Sequence, residues 1–562
     1  MTAAIQKSSL RAAAVDPNLK KNIRKDQNIR KQIASLTVGL SRQLGQTGNL
    51  RNEKAIAALR GHIDALREQR GEIEEEINEI FQDYQKLTAQ SFPSVNEVKS
   101  FLKPGEALVS FYIGEKRSYV WAVSENQPPQ FTAVDMGREE IEQTVKSLRS
   151  ALAPEGVKTV GDIPEFDIAA ASRLYEKFLK PVEKEWKGAN NLIVVPHGAM
   201  GYLPMSLLVT DSSGAKPEER PDSIYMGENR SGNSTRKNQR GLFAAMESKP
   251  LGAEGKERIL FSKYKDISWL ARTHAITTLP SVASLKALRT REALKRPERP
   301  FTGFGDPFFN EEHAKEQSKK TAVARNIIRD DHRGLPVNLR SQPKTRRLHS
   351  ATIEALPRLP ETRAEIAAIA ETLGADPNKD LFFGREANEH NAKTAALDKY
   401  RVVSFATHGL IAGDLDGLNQ PALALASPKV ANIEGDGLLT MDEVLGLKLN
   451  ADWVILSACN TGAGEGTGAE AVSGLGRAFF YAGAKSVLVS NWPVNSKATT
   501  ELMTSLFREQ KEDPSLTRAE ALQKAEMDLM DGPGLVDSEG RTLYSYAHPI
   551  FWAPFVVVGE GG

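Results

Sequence analysis

Short apolar runs that alternate with helical patterns place the strongest constraint on how this 562-residue chain can fold. Residues 107–113 and 118–123 have the composition of short strands, and residues 139–152 have the spacing of a helix. Residues 192–195 form a compact apolar run, and the same alternation continues to residue 562. This order predicts an α/β fold in which a mostly parallel sheet is flanked by helices.

The first 92 residues differ because they contain helical patterns but no strand patterns. Residues 1–31 carry eight Lys or Arg against two Asp or Glu, which predicts a solvated lead-in, with a basic partner-binding arm as the alternative. Apolar side chains recur every three or four positions over residues 29–44 and 56–87, on either side of a break at 45–49. This spacing predicts a helical hairpin with a coiled-coil-like seam, which either packs on the rest of the chain or binds a partner.

Two stretches of the remaining chain differ in composition from the segments with strand and helix patterns. Residues 209–262 are rich in Gly, Ser, Pro, Asn and charge, and residues 310–350 carry ten Lys or Arg against five Asp or Glu. Both stretches are predicted to be long surface loops or disordered segments. The basic stretch lacks interleaved aromatic residues and any recognisable nucleic-acid-binding module, so nucleic acid is not expected as a partner.

The charge balance and the cysteine content exclude several classes of protein. There are 73 Lys and Arg against 72 Asp and Glu, which removes the simplest argument for a nucleic-acid or anionic-membrane partner. The single cysteine, Cys459, excludes an intrachain disulfide and a Cys-rich metal site. No run approaches 18 apolar residues, and residues 1–16 lack the apolar core of a secretory signal, so we expect a cytoplasmic protein without a membrane segment.

Two chemically reactive residues follow predicted strands. The strand predicted at 402–406 leads to His408, and the strand predicted at 452–458 leads to Cys459. The carboxyl ends of parallel strands share one edge of a sheet, where ligands and active sites collect. A thiolate is a good nucleophile and a nearby imidazole can take the thiol proton, so the pair predicts nucleophilic catalysis. The alternatives are a structural histidine and a cysteine that serves as a small core residue.

A glycine-rich loop follows the cysteine. Gly462, Gly464, Gly466 and Gly468 precede a helix predicted over residues 469–482. A glycine-rich turn before a helix can bind phosphate, but this spacing matches neither the dinucleotide nor the ATP-binding motif. A nucleotide-binding switch therefore stays open as an alternative, and a mobile loop beside a site is the simpler interpretation.

Many motifs along the chain, taken in order, resemble the CHAT domain family, a caspase-like domain often found beside tetratricopeptide repeats. The histidine motif is Ala406-Thr407-His408-Gly409, and the cysteine motif covers residues 456–462. Cys459 follows His408 by 51 residues, close to the roughly 50 typical of caspases. The resemblance covers about residues 95–559, with further family-like segments at 195–204, 278–281, 304–307, 359–365, 474–484, 490–494 and 548–553.

The resemblance implies a caspase-like fold and a cysteine endopeptidase related to caspases and separases. Residues 93–350 would be the more divergent, pseudo-caspase-like part, and residues 351–562 would be the catalytic part. His408 would be the general base, Cys459 the nucleophile, and the backbone N–H groups of Gly409 and Cys459 the oxyanion donors. A nucleophile and a base suffice for this chemistry, so we expect neither a cofactor nor a metal.

Residues near the predicted dyad are candidates for a substrate pocket. Ser457 stands two positions before the cysteine, where several related peptidases hold an acidic or amide side chain. A serine provides no charge there for a basic substrate residue, whereas Asp414 and Asp416, in the loop after His408, could provide one. Trp492 either lines the pocket or packs in the core.

The resemblance also implies a biological setting. Relatives cleave one partner protein in bacterial defence or regulated cell death, usually after a trigger reaches an attached helical-repeat region. We therefore expect a protein substrate and an activating protein or helical-repeat partner at residues 23–90. The exposed loops at 209–262 and 310–350 are candidates for processing. The rival hypothesis is a catalytically silent scaffold that keeps the fold and binds through its helical hairpin.

Overall fold

The structure of the chain is a computed structural model. It describes five helical positions between residues 25 and 36 and the ranges 53–80, 93–154, 156–211, 259–290, 295–318, 335–337, 339–340, 352–411, 414–415, 418, 420–457 and 474–562. Cys459, the four glycines after it, Asp416 and most of both predicted loops lie outside the described residues.

An eleven-stranded, mostly parallel sheet forms the centre of the molecule. The described strands, in chain order, are β1 Glu106–Ile113, β2 Ser118–Ser124, β3 Gln130–Val134, β4 Asn191–Val195, β5 Val209–Asp211, β6 Ser268–Trp269, β7 Ala275–Thr278, β8 Arg299–Pro307, β9 Leu381–Gly384, β10 Tyr400–Ala406, β11 Gly409–Leu410, β12 Ala422–Ala424, β13 Leu438–Thr440, β14 Trp453–Leu456, β15 Ser486–Ser490, β16 Leu535–Val536, β17 Thr542–Tyr544 and β18 Phe555–Gly559. The large sheet has the order β3-β2-β1-β4-β7-β18-β15-β14-β10-β8-β9, and β11, β12 and β13 form a small sheet beside it.

The large sheet contains two parallel blocks joined by β18. Strands β1, β4 and β7 are parallel to one another, and β2 and β3 extend this block as antiparallel neighbours. Strands β15, β14, β10, β8 and β9 form the second parallel block. Strand β18 lies between β7 and β15 and is antiparallel to β15.

The sheet is continuous across the domain boundary predicted at residue 350. Strand β8 precedes that boundary in sequence, yet it lies between β9 and β10, which follow it. The division into 93–350 and 351–562 therefore stays a prediction about sequence regions, while the hydrogen-bonded sheet crosses it.

Helices cover both faces of the sheet. On one face, helices contribute buried residues such as Val145, Ile366 and Leu502, and on the other face helices contribute Val98, Leu285 and Ala478. The described α-helices are α1 Glu53–Ile80, α2 Val95–Phe101, α3 Arg138–Ser150, α4 Ile168–Leu174, α5 Glu183–Trp186, α6 Val282–Arg289, α7 Glu311–Ser318, α8 Glu361–Leu373, α9 Glu389–Thr394, α10 Pro428–Ala431, α11 Met441–Val444, α12 Gly474–Ala482, α13 Ser496–Glu512, α14 Arg518–Asp531 and α15 Pro549–Trp552.

The two-sided packing explains why the central strands are almost entirely apolar. Along β14, Trp453 and Ile455 belong to one core cluster, whereas Val454 and Leu456 belong to the cluster on the opposite face. A strand buried on both faces needs apolar residues at every position, so its sequence is a continuous apolar run. The prediction of a mostly parallel sheet flanked by helices is confirmed.

The helix predicted in the second half of the N-terminal hairpin is confirmed as α1, with Ile56, Ile63 and Ile73 buried at 6% exposure or less. Residues 81–92 lie outside the described part of the chain. Five positions of the first half are described, and all five are helical. No helix in the described ranges is both long enough and apolar enough to cross a membrane.

Parts of the two predicted loops have regular structure. Strand β5 begins at Val209, and helix α7 covers Glu311–Ser318. Within 335–340, Pro336 pairs with Thr159 and Leu339 pairs with Asn495, both antiparallel. The prediction of a surface loop is therefore wrong for these residues. Single residues that pair with residues far away in sequence have no periodic pattern by which they could be recognised.

Candidate active site

His408 and Ser457 lie at the same edge of the sheet because the strands that precede them are neighbours. Strands β10 and β14 are parallel and in register from Val402–Trp453 to Phe405–Leu456. The N–H of Ser457 then donates to the C=O of Phe405 at 3.1 Å. The prediction that both strands end at one edge of the sheet is confirmed, and the two strands are direct neighbours. Cys459 lies outside the described residues, two positions after Ser457 in the sequence.

The imidazole of His408 is fully buried and held in one orientation. Its Nε2 lies 2.8 Å from the C=O of Pro357, and Phe309 lies beside the ring with a centroid distance of 5.6 Å. A carbonyl oxygen only accepts, so Nε2 must donate, and the neutral ring keeps its lone pair on Nδ1. Nδ1 is buried and has no hydrogen-bond partner among the described residues. The ring therefore presents the basic nitrogen Nδ1, and no described residue forms a hydrogen bond with it.

Burial sets the protonation state of this ring. Loss of solvent lowers the pKa of His408 to about 4; the Pro357 carbonyl opposes this shift, and the nearby positive charge of Arg340 adds to it. His408 is thus neutral near pH 7, as a general base must be. A ring in this environment gains a proton readily only when negative charge develops beside it.

The carbonyl that orients His408 is fixed by an ionic cluster. Arg358, the next residue after Pro357, donates from Nε and Nη2 to the two oxygens of Asp306 at 2.8 and 2.9 Å. Asp306 is fully buried and also accepts from Arg363 at 3.1 Å. A bidentate arginine–carboxylate pair holds both backbones in place. Asp306 lies in the family-like segment 304–307, but its role was not predicted from sequence.

The backbone of Gly409 is oriented by the small sheet. The N–H of Ala424 donates to the C=O of His408 at 2.9 Å, next to the pair formed by Gly409 and Leu423. In an antiparallel ladder this bond marks the Gly409–Leu423 pair as one that exchanges no hydrogen bonds. The ladder with β12 therefore leaves the N–H of Gly409 unused.

A buried arginine that the sequence did not reveal lies against Ser457. Arg340 donates from Nη1 to both the C=O and the Oγ of Ser457, at 2.8 and 2.7 Å. Its Nη2 pairs with Glu365 on α8, and both side chains of this ion pair are completely buried. Glu365 lies in the family-like segment 359–365, whereas Arg340 comes from a basic stretch that has no motif.

The remaining predicted pocket residues occupy different environments. Asp414 accepts the N–H of Ile411 on its Oδ2 at 2.9 Å and so closes a turn in its own loop. Trp492 is fully buried and donates from Nε1 to the C=O of Ile550 at 3.1 Å, as expected for the core alternative. Asp416 lies outside the described residues.

A family model named CHAT domain matches residues 255–560, which is more than half of the chain. The chain belongs to the CHAT domain family. The match includes β7 to β18, and therefore both strands of the candidate site. Together with the observed sheet, family membership confirms the predicted caspase-like fold class.

The CHAT protein is similar to tetratricopeptide repeat protein 28 of Mus musculus and of Homo sapiens. Each is 27% identical over 229 residues, which cover 36% of this chain and 9% and 8% of the two relatives. The chain spans less than a tenth of the length of these relatives.

Among solved structures, the chain is similar to the Saccharomyces cerevisiae separase–securin complex, at 10% identity and a TM-score of 0.36, over 94% of this chain and 35% of that chain. The Arg-specific cysteine proteinase gingipain R matches at 10% identity and a TM-score of 0.32, over 75% of this chain and 74% of that chain.

Proposed function

We propose that this CHAT protein is a cysteine endopeptidase in which His408 is the general base and Cys459 the nucleophile. The observation that supports it most is the state of His408. Its Nε2–H is bound to the Pro357 carbonyl, and its Nδ1 lone pair has no described partner at a strand end beside the strand that leads to Cys459. A structural histidine normally satisfies both ring nitrogens.

The proposed reaction needs only these two side chains and backbone N–H groups. The Cys459 thiol gives its proton to Nδ1 of His408, and the sulfur attacks the carbonyl carbon of the scissile peptide bond. The N–H groups of Gly409 and Cys459 stabilise the oxyanion. The His408 imidazolium then protonates the leaving amine, and a water molecule, deprotonated by His408, hydrolyses the thioester and releases the acid.

The cluster around Asp306 supports this assignment of the base. Asp306 and Arg358 hold the Pro357 carbonyl in place, so they act on His408 as positioning residues rather than as reacting groups. A carbonyl partner stabilises the imidazolium less than a carboxylate would, which agrees with the low pKa of His408.

A thiol-directed peptide probe tests the proposal. We expect labelling at Cys459 in the wild type, none in Cys459→Ala, and strongly slowed labelling in His408→Ala. His197→Ala is the matched control, since His197 is a half-buried histidine that accepts the N–H of Ile113 on Nδ1 at 3.1 Å, but lies after β4 in the other block. Equal labelling of the wild type and either dyad variant would leave the silent scaffold as the better description.

The finer parts of the function are also proposals. We expect the protein to act in the cytoplasm on a protein substrate, in bacterial defence or regulated cell death. An activating protein or helical-repeat partner would bind at residues 23–90. Similarity to proteins named for tetratricopeptide repeats supports a repeat partner, because this chain spans only a small part of them. Loss of partner pull-down on deleting residues 23–90, with the fold intact, would support this interface; unchanged pull-down would contradict it.

A further inference from the structure

The described residues of the segment 335–340 form two isolated antiparallel bridges, and Arg340 contacts Ser457 at the candidate site. Its first half pairs antiparallel with Thr159. Its second half pairs antiparallel with residues 494–495, where the N–H of Arg340 donates to the C=O of Val494 at 3.0 Å. An extended peptide that binds a groove by strand addition uses the same main-chain hydrogen bonds.

The pairing places this segment at the edge that carries the candidate dyad. Residues 494–495 follow β15, which is parallel to β14, so they lie beyond the same carboxyl edge as Ser457. The positive charge of Arg340 also contributes to the electrostatics of His408. Arg340 therefore lies against the strand end that leads to Cys459.

The side chain of Arg340 fills a pocket built for a guanidinium. The C=O and the Oγ of Ser457 accept hydrogen bonds from Nη1, and the carboxylate of Glu365 pairs with Nη2. Ser457 is two residues before the proposed nucleophile. The negative charge that a basic substrate residue would need here comes from Glu365 on α8, and not from Asp414, which binds its own loop.

A purely structural ion pair is the alternative explanation. Burying two charges costs desolvation that their attraction often fails to offset, so such a pair is a poor means of stabilising a core. Arg340 moreover belongs to a stretch whose described residues form isolated bridges and none of the described helices or strands of the large sheet.

We infer that residues 335–340 occupy the substrate groove of the peptidase as an internal inhibitory strand, with Arg340 in the pocket for the residue that precedes the scissile bond. The inference rests on the proposed function and deepens it. The substrate class is then a protein with an arginine before the cleaved bond, which Glu365 and Ser457 recognise once the internal strand has left.

A peptide series that copies the chain's own segment provides the test. Acetyl-Val-Asn-Leu-Arg, taken from residues 337–340, is linked to a fluorogenic amine and compared with the same peptide ending in Lys, Asp or Ala. We expect Arg340→Ala to cleave the arginyl peptide at least about tenfold faster than the wild type, because the competent fraction of the enzyme rises. Arg289→Ala is the matched control: it removes another buried arginine, paired with Glu106 at 2.6 Å at the start of β1, and should show no gain.

A second variant tests the pocket itself. In the Arg340→Ala background, Glu365→Gln should lower kcat/KM for the arginyl peptide by about 100-fold, since the guanidinium loses its charged acceptor. If Arg340→Ala lacks a cooperative thermal transition, Arg340→Gln replaces it, since glutamine keeps a long side chain and an amide donor for Ser457.

The outcomes separate this inference from the proposed function. Preferred cleavage after Lys, Asp or Ala, or no gain in any folded Arg340 variant, overturns the inference while leaving the peptidase in place. Absence of cleavage of every peptide by every folded Arg340 variant, together with absence of labelling of those variants at Cys459 by the thiol probe, overturns both. Faster arginyl cleavage that Glu365→Gln abolishes supports both.

Discussion

The protonation of His408 gives a prediction that can be worked through in numbers. Its pKa is lowered to about 4 in the folded chain, whereas an unfolded histidine has a pKa of about 6.5. Between these values the unfolded state binds a proton that the folded state does not, so stability falls as the pH falls through this range. The contribution is fully present above pH 6.5 and is lost progressively down to pH 4. For His408 alone the loss between pH 8 and pH 5 is roughly 2 kcal/mol.

The measurement is the free energy of unfolding from urea titrations at pH 8 and pH 5. The comparison is made in a Cys459→Ala background, which prevents ionisation of the thiol from altering the ring, with and without His408→Gln. His548 is also buried, with its pKa lowered to about 3, so it destabilises both proteins equally and cancels in the difference. The glutamine variant should lose about 2 kcal/mol less than its parent on acidification.

Two results would contradict this reasoning. An equal pH dependence in both proteins would show that His408 titrates normally. A smaller loss in the parent than in the glutamine variant would show that the folded state favours the imidazolium.

Three further predictions concern the surroundings of the site and the core. Asp306→Asn should lower kcat with little change in KM, because the Pro357 carbonyl loses its charged anchor through Arg358; a change confined to KM would refute a positioning role. Gly483→Ala should unfold at a clearly lower temperature by calorimetry, because φ is +121° there and a Cβ would lie 2.0 Å from the carbonyl oxygen of Leu449; an unchanged transition would refute the clash. Glu526→Gln should raise the thermal midpoint at pH 8 and progressively less towards pH 5, because burial raises the pKa of Glu526 well above its usual range; a gain independent of pH would refute the electrostatic cause.

The sequence was informative where a pattern is local. Strands predicted at 402–406 and 452–458 correspond to β10 and β14, and their order is enough to place His408 and the approach to Cys459 at one edge of the sheet. Both strands are buried on two faces, so each is a continuous apolar run that ends just before polar residues of the candidate site.

The sequence was uninformative where a contact joins distant segments. Arg340 meets Ser457 across 117 residues, and Pro357 meets His408 across 51. Neither contact follows from periodicity or composition, because the hydrogen-bond partner of a buried arginine or of a backbone carbonyl depends on which distant residues the fold places beside it. Glu365 and Asp306 lie in segments that resembled family motifs, yet their partners were visible only in the structure.

Strand β18 also determines the order in which the molecule can be completed. Residues 555–559 fill the gap between β7 and β15, so the two blocks of the sheet cannot join while those residues are still being synthesised. Until then, β7 and β15 each have an edge that is not paired with β18, and unpaired strand edges can pair with other chains. The large sheet of the proposed peptidase can therefore be completed only after residue 559 has been synthesised.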